Sequence, residues 1–274
     1  MRFLLLTGYC GASLVFAQSV APSPAAEKLI RSLTPPGAGS ASPVPSPAQA
    51  NLNATPPTPL STEQRGDIFM ARKMYREAVD MYLQGPHDSA ITWNKVGIAY
   101  HQMLNLESAR RNYEKAVKLN PKYSEALNNL GTYFYARKNY RRAITQYRRA
   151  LVLAPKSASI YSNLGTAYFA RKKYAEASEA YQHALELDPE VFEHRSSAGV
   201  LLQERSVQER AKFHYYLAKT YAKSGQIERA LQYMRKAIEE GFKERQKFTE
   251  DDDFASIRQL PEFAELMKLE PKIL

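Results

Sequence analysis

From Ser61 onward the sequence repeats itself with a period of 34 residues, and five separate columns obey the period. Gly97, Gly131 and Gly165 form one column, Ala109, Ala143 and Ala177 a second, and Tyr113, Tyr147 and Tyr181 a third. Ala116, Ala150 and Ala184 make the fourth, and Pro121, Pro155 and Pro189 close each unit. A fixed period of this length marks a chain that stacks one small unit on the next, because no single unit can bury its apolar face alone. Each unit divides into two helices. Trp93, Val96, Gly97 and Tyr100 recur at i, i+3, i+4 and i+7, which places them on one helical face. Leu127, Leu130, Gly131 and Phe134 repeat that stripe, as do Tyr161, Leu164, Gly165 and Tyr168. In the second helix Ala143, Tyr147 and Ala150 share a stripe of their own. The small residues let two helix backbones approach, the tyrosine fills the remaining wedge, and the prolines end each pair.

The pattern Trp93-x2-Val96-Gly97-x2-Tyr100, followed by Ala109, Tyr113, Ala116 and Pro121, resembles the tetratricopeptide repeat, and the likeness covers roughly residues 61–245. It implies an all-α, right-handed α-solenoid of stacked helix–turn–helix units with a C-terminal capping helix. It also implies that an extended peptide or a helix is gripped along the concave side, which the first helices line. Residues 61–190 hold one degenerate unit and three full ones. In the degenerate unit Gly66, Ala78 and Tyr82 keep the mutual spacing, but Gly66 stands only 31 residues before Gly97, which fits a clipped turn at Gly85-Pro86. Ser61 with Gln64 makes a capping box at its start.

Beyond Pro189 two frames compete. Gly199, Ala211, Tyr215 and Ala218 continue the period, whereas Leu217, Ala218, Tyr221, Gly225, Ala230 and Ala237 form a fuller unit with a turn at Ser224-Gly225. The second frame is preferred. It leaves 191–206 as an irregular insertion, 207–245 as a further repeat and 246–274 as a capping tail. In that tail Phe254, Ile257, Leu260, Phe263 and Leu266 read as one terminal helix over the last open face. The acidic run Glu250 to Asp253 is expected to favour the start of that helix through its dipole.

The first 60 residues have a different character. Met1-Arg2 precede an uncharged stretch from Phe3 to Phe16, and Val15-Phe16-Ala17 supplies a cleavage site, so 1–17 reads as a signal peptide. The expected location is therefore extracytoplasmic, periplasmic or secreted. Cys10 is the sole cysteine and falls inside this segment. A chain beginning at Gln18 would have no disulfide, no catalytic thiol and no cysteine-based zinc site. Ten of the sixteen prolines lie between Pro22 and Pro59, so 18–60 reads as an extended tether.

Catalytic patterns are missing. No Gly-x-Ser-x-Gly or Walker-type motif occurs, and Gly37-Ala38-Gly39 lacks the third glycine of a dinucleotide loop. His87, His101, His183, His194 and His214 lack the paired spacing of a helical metal site. The expectation is no enzyme, no cofactor and no metal.

The binding surface is better marked. A stripe rotated away from the core stripe of the first helices reads Asn94, Ile98 and His101, then Asn128, Thr132 and Tyr135, then Ser162, Thr166 and Phe169. Asn129 and Asn163 stand beside it, and Lys95 occupies the place of a third asparagine in that column. Amides can donate to and accept from a bound backbone, and aromatic rings add apolar area. The cationic clamp that some members of the family use for C-terminal carboxylates is unmatched, because its positions hold Glu63 and Ser159.

Charge points to a second surface. The formal net charge is +10, and residues 90–157 carry 13 Lys or Arg against Glu107, Glu114 and Glu125. Arg110, Arg111, Arg141, Arg142, Arg148 and Arg149 fall on second helices, whose outward faces would be convex. The favoured reading is an exported, non-enzymatic scaffold or adaptor holding a protein or extended peptide in its concave groove. The alternative is an auxiliary protein that docks on membrane headgroups or a cell-wall polymer through the basic face. Export argues against nucleic acid as a partner.

Overall fold

The structure, a computed structural model, describes residues 59–193 and 206–272. The signal segment with Cys10, nearly all of the tether, His194 and most of 191–206 lie outside the described residues.

Among the described residues there are helices and turns and no strand. The helices are α1 (Thr62–Ala71), α2 (Tyr75–Leu83), α3 (Ala90–Gln102), α4 (Leu106–Leu119), α5 (Ser124–Ala136) and α6 (Tyr140–Leu153). They continue with α7 (Ala158–Ala170), α8 (Tyr174–Leu187), α9 (Val207–Lys223), α10 (Ile227–Glu239), α11 (Lys247–Glu250) and α12 (Pro261–Met267). Helices α1 to α10 pack as five consecutive pairs, and each pair stacks on the next to give an all-α solenoid.

Sequence dictates the pairing through one contact repeated four times. A side chain begun at Gly97 would stand 2.5 Å from the Tyr113 ring, at Gly131 2.6 Å from Tyr147, at Gly165 2.5 Å from Tyr181, and at Gly66 2.3 Å from Tyr82. Each ring closes on the glycine of its partner helix and is buried there. A ring of that size removes on the order of 150–200 Å² from water, about 4–5 kcal/mol of apolar transfer. In the last pair Ala218 stands at the glycine position and Met234, 16 residues on, at the tyrosine position, and both are fully buried.

Turns within the pairs are equally regular. Lys73, Leu104, Lys138 and Lys172 all sit at φ between 56° and 60°, and Gly225 holds the same place at φ 75°. Only the last turn uses the residue for which that conformation carries no steric cost. Asn105 and Asn139 cap the helices that follow, and Ser61 with Gln64 forms the capping box expected from sequence. In the clipped connector after α2, the Trp93 Nε1 donates to the His87 carbonyl at 2.7 Å.

Residues 191–193, the described start of the stretch expected as an irregular insertion, are turns that pack on the array: Val191 and Phe192 are buried, and Phe192 meets Tyr181 edge-on at 5.4 Å and Tyr221 at 6.3 Å. Arg229 on α10 grips the Pro189 carbonyl and the Glu190 carboxylate, and the Tyr233 hydroxyl donates to Glu193 at 3.4 Å.

One expectation for the C-terminal third needs correcting, because the tail is not one helix. Short 3₁₀ turns at Asp252–Phe254 and Ile257–Gln259 precede α12, because Pro261 starts a new helix and holds Leu260 extended. The apolar residues still do the covering: Phe248, Phe254 and Ile257 are fully buried, with Phe248 and Phe254 against Tyr215. The acidic run does not serve the dipole of a long helix. Asp251 accepts from the Tyr215 hydroxyl at 2.8 Å and from Lys219 at 2.6 Å, and Lys219 lies 3.2 Å from Asp253.

Candidate partner-binding face

Five first helices, α1, α3, α5, α7 and α9, succeed one another along the array, and the residues proposed for binding sit on three of them. Their side chains are largely taken up by the array itself. The Asn129 side-chain amide donates to Asn94 Oδ1 at 3.0 Å, and that of Asn163 donates to Asn128 Oδ1 at 3.0 Å. Asn94 in turn donates to the Tyr123 hydroxyl at 3.3 Å. Lys95, standing in the asparagine column, meets Glu63 and Asp67 of α1, both at 2.7 Å. These contacts form a series of rungs between successive first helices: one ionic, then two amide.

The next position along the stripe serves the buried tyrosines. Tyr147 donates to Thr132 at 3.3 Å, Tyr181 to Thr166 at 3.4 Å, and Tyr82 to Asp67 at 2.7 Å. Where that position is Ile98, which cannot accept, the Tyr113 hydroxyl lies 3.4 Å from His101 Nδ1 instead. Burial holds the His101 pKa down at about 4, so the ring is neutral. Burial raises the Tyr113 and Tyr147 hydroxyls far above the usual tyrosine range. One turn further on, Tyr135 packs on Tyr140 at 5.2 Å, and Phe169 packs on Tyr174 at 5.3 Å and Phe213 at 5.4 Å.

The premise that the rotated stripe stands clear of packing is therefore incorrect. Asn94, Ile98, His101, Asn128, Tyr135, Ser162, Asn163, Thr166 and Phe169 are buried, and only Asn129 and Thr132 remain half-buried. The physical reason is that repeats stack through the same face that would line a groove, so polar side chains there find one another first. What stays accessible lies in the first turn of these helices: Ile91, 47% exposed, with Glu125 and Ser159 at the same position of the next two units. Sequence reasoning passed over this column, and its 34-residue spacing was the signal that could have found it.

The six arginines divide in two. Arg110 is paired with Glu107 and Glu114, and Arg111 is exposed with its Nε 3.4 Å from the Glu107 carbonyl. Arg141, Arg142, Arg148 and Arg149 are all exposed on α6. Arg142 lies 5.6 Å from the centre of the Phe134 ring, and Arg149 donates to Gln146 at 2.9 Å. Among the described residues no group of three or more His, Cys, Asp or Glu could hold a metal, and no helix is long and apolar enough to cross a membrane.

Successive helix pairs, each joined by a left-handed residue and stacked through a repeated face, define a helical-repeat protein. Models of the tetratricopeptide repeat match residues 90–123, 112–145 and 158–191, and a further TPR repeat model matches 131–170. The chain is a tetratricopeptide repeat protein. A model described as the N-terminal domain of A/B hydrolase-like proteins also matches 176–272, a stretch whose described residues are helices and turns. No curated protein matches the chain.

Solved structures resemble it at low identity. The crystal structure of MamA is 22% identical, covering 64% of this chain and 93% of that one at a TM-score of 0.45. MamA from Desulfovibrio magneticus RS-1 is 21% identical, covering 65% and 92% at 0.46. The second TPR domain of human RPAP3, solved with an HSP70 peptide, is 23% identical, covering 39% and 92% at 0.37.

Proposed function

We propose that this protein is an exported, non-enzymatic scaffold that holds a protein or extended peptide along the row formed by its first helices. The observation that carries the reading is the register of the exposed first-turn column. Ile91, Glu125 and Ser159 present an apolar, an acidic and a hydroxyl group at one-unit intervals. An extended peptide spans one unit with a few residues, and three unlike groups in register offer it order as well as area. Half-buried Asn129 and Thr132 lie beside the column. The buried asparagines act one step back, by fixing the spacing between units.

The test is affinity capture from the native host with the array and with a variant carrying Ile91→Arg, Glu125→Arg and Ser159→Arg. These side chains are exposed or nearly so, and the helical dichroism should be unchanged. The variant is expected to lose the captured protein, and undiminished capture would remove the first-turn column from the function. Export is tested separately: N-terminal sequencing of protein from the native host should begin near Gln18, and retained Met1 would overturn it.

A further inference from the structure

The scaffold reading leaves the charge of α6 unused. From Tyr140 to Leu153 this helix holds Arg141, Arg142, Arg148 and Arg149 and no acidic residue. All four are exposed, and no carboxylate of the described residues pairs with any of them, whereas Arg110 on α4 is held between Glu107 and Glu114. Arg141 with Arg148, and Arg142 with Arg149, are each seven residues apart, which sets two rows of cations about 10.5 Å long on one face. Four like charges on one helix repel one another and cost stability unless an external anion meets them.

An apolar element completes the face. Arg141, Thr145, Arg148 and Val152 follow one another at i, i+4, i+7 and i+11, a single row. Val152 ends it at 82% exposure, and the adjoining Leu153 and its counterpart Leu119 on α4 are 39% and 42% exposed. Exposed Lys118, Lys122 and Lys156 surround these tips. The basic area has borders: exposed Glu77 and Asp80 lie on α2 to one side, and exposed Glu179 and Glu186 on α8 to the other.

We infer that α6, with the C-terminal end of α4, docks this protein on an anionic lipid surface, its arginines on headgroups and Val152 at the acyl boundary. This goes beyond the scaffold reading and uses a different face. A one-signed double row ending in aliphatic tips matches a layer that is anionic outside and apolar just beneath. A folded protein partner would be met by interleaved charges of both signs, and α6 carries no acidic residue. Single-stranded nucleic acid calls for exposed aromatic rings, and the large apolar residues exposed here are all aliphatic. The acidic borders fix which way the molecule faces, since turning it would bring Glu179 or Asp80 to the headgroups.

The experiment is co-sedimentation of the full chain with vesicles of phosphatidylcholine alone and of phosphatidylcholine with about a third phosphatidylglycerol. The ratio of the two partition coefficients is the readout, and the neutral vesicles account for any insertion by the apolar stretch Phe3 to Phe16. Each cation near such a surface is worth roughly fivefold in partition, so replacing all four arginines by glutamine should lower the ratio by at least about a hundredfold. Val152→Asn leaves the charge unchanged and should lower anionic-vesicle binding severalfold while the melting temperature stays the same. A ratio near one for the native chain, or one unmoved by the glutamine variant, overturns the inference. So does full binding by Val152→Asn together with equal binding to duplex DNA and polyglutamate, which would mean adsorption of any polyanion.

Discussion

The Tyr147 ring occupies the space into which a side chain at Gly131 would grow, 2.6 Å from its first carbon. Gly131→Ala should therefore cost about 1–3 kcal/mol, by forcing the ring off its seat. At the same two positions the last unit holds Ala218 and Met234, both fully buried. Adding Tyr147→Met to Gly131→Ala should raise the melting temperature above that of the single variant, and a lower one would mean the two columns are not coupled. Both columns stand out in the sequence by their period, but one sequence does not say which column touches which. His101 gives a pH-dependent counterpart. Its pKa falls from the usual 6.5 to about 4 on folding, so the unfolded chain takes up the proton first. Stability carried by the neutral ring is present above pH 6.5 and is lost as the pH falls toward 4, by up to about 3 kcal/mol. His101→Phe should flatten that part of the profile in denaturant titrations taken across the window.

Between elements, the rungs decide how far apart successive first helices sit. Asn163→Ala leaves the Asn128 oxygen buried without its donor, which should destabilise the array by about 1–3 kcal/mol. A double-mutant cycle with Asn128→Ala should return a coupling of at least about 0.5 kcal/mol, and additive losses would show that the two amides act independently. Helix boundaries, the pairing and the turn at Gly225 all follow from local signals, since 3.6-residue periodicity, caps and prolines act within one turn of the chain. Burial of the asparagine stripe does not. A polar stripe beside an apolar one reads equally well as a groove or as a seam, and the decision rests on the neighbouring unit, 35 residues away. The broken tail escaped for the opposite reason: its apolar spacing outweighed Pro261, although a proline at that place starts a helix rather than continuing one.

At the scale of the molecule, an array of this kind is only as stable as its ends, because each pair contacts its neighbours alone. The tail from 246 onward stands where a sixth first helix would come, covering Tyr215 with Phe248 and Phe254 and holding Lys219 through Asp251. Deleting 246–274 removes three fully buried side chains, Phe248, Phe254 and Ile257, uncovers Tyr215 beneath them, and should lower stability by several kcal/mol. Amide exchange should quicken first in α9 and α10, and uniform exchange over all helices would show that the array melts as one block. The rungs also have a direction, with the donor always in the later unit: Lys95 to Glu63, Asn129 to Asn94, Asn163 to Asn128. That direction limits how such a chain can lengthen. A tandem copy of 124–157 would bring an asparagine donor to an asparagine acceptor and join without a mismatch. A copy of 90–123 would set Lys95 against Asn94 and strand a cation in the seam, so growth by duplication is open to the middle of this array and closed to its beginning.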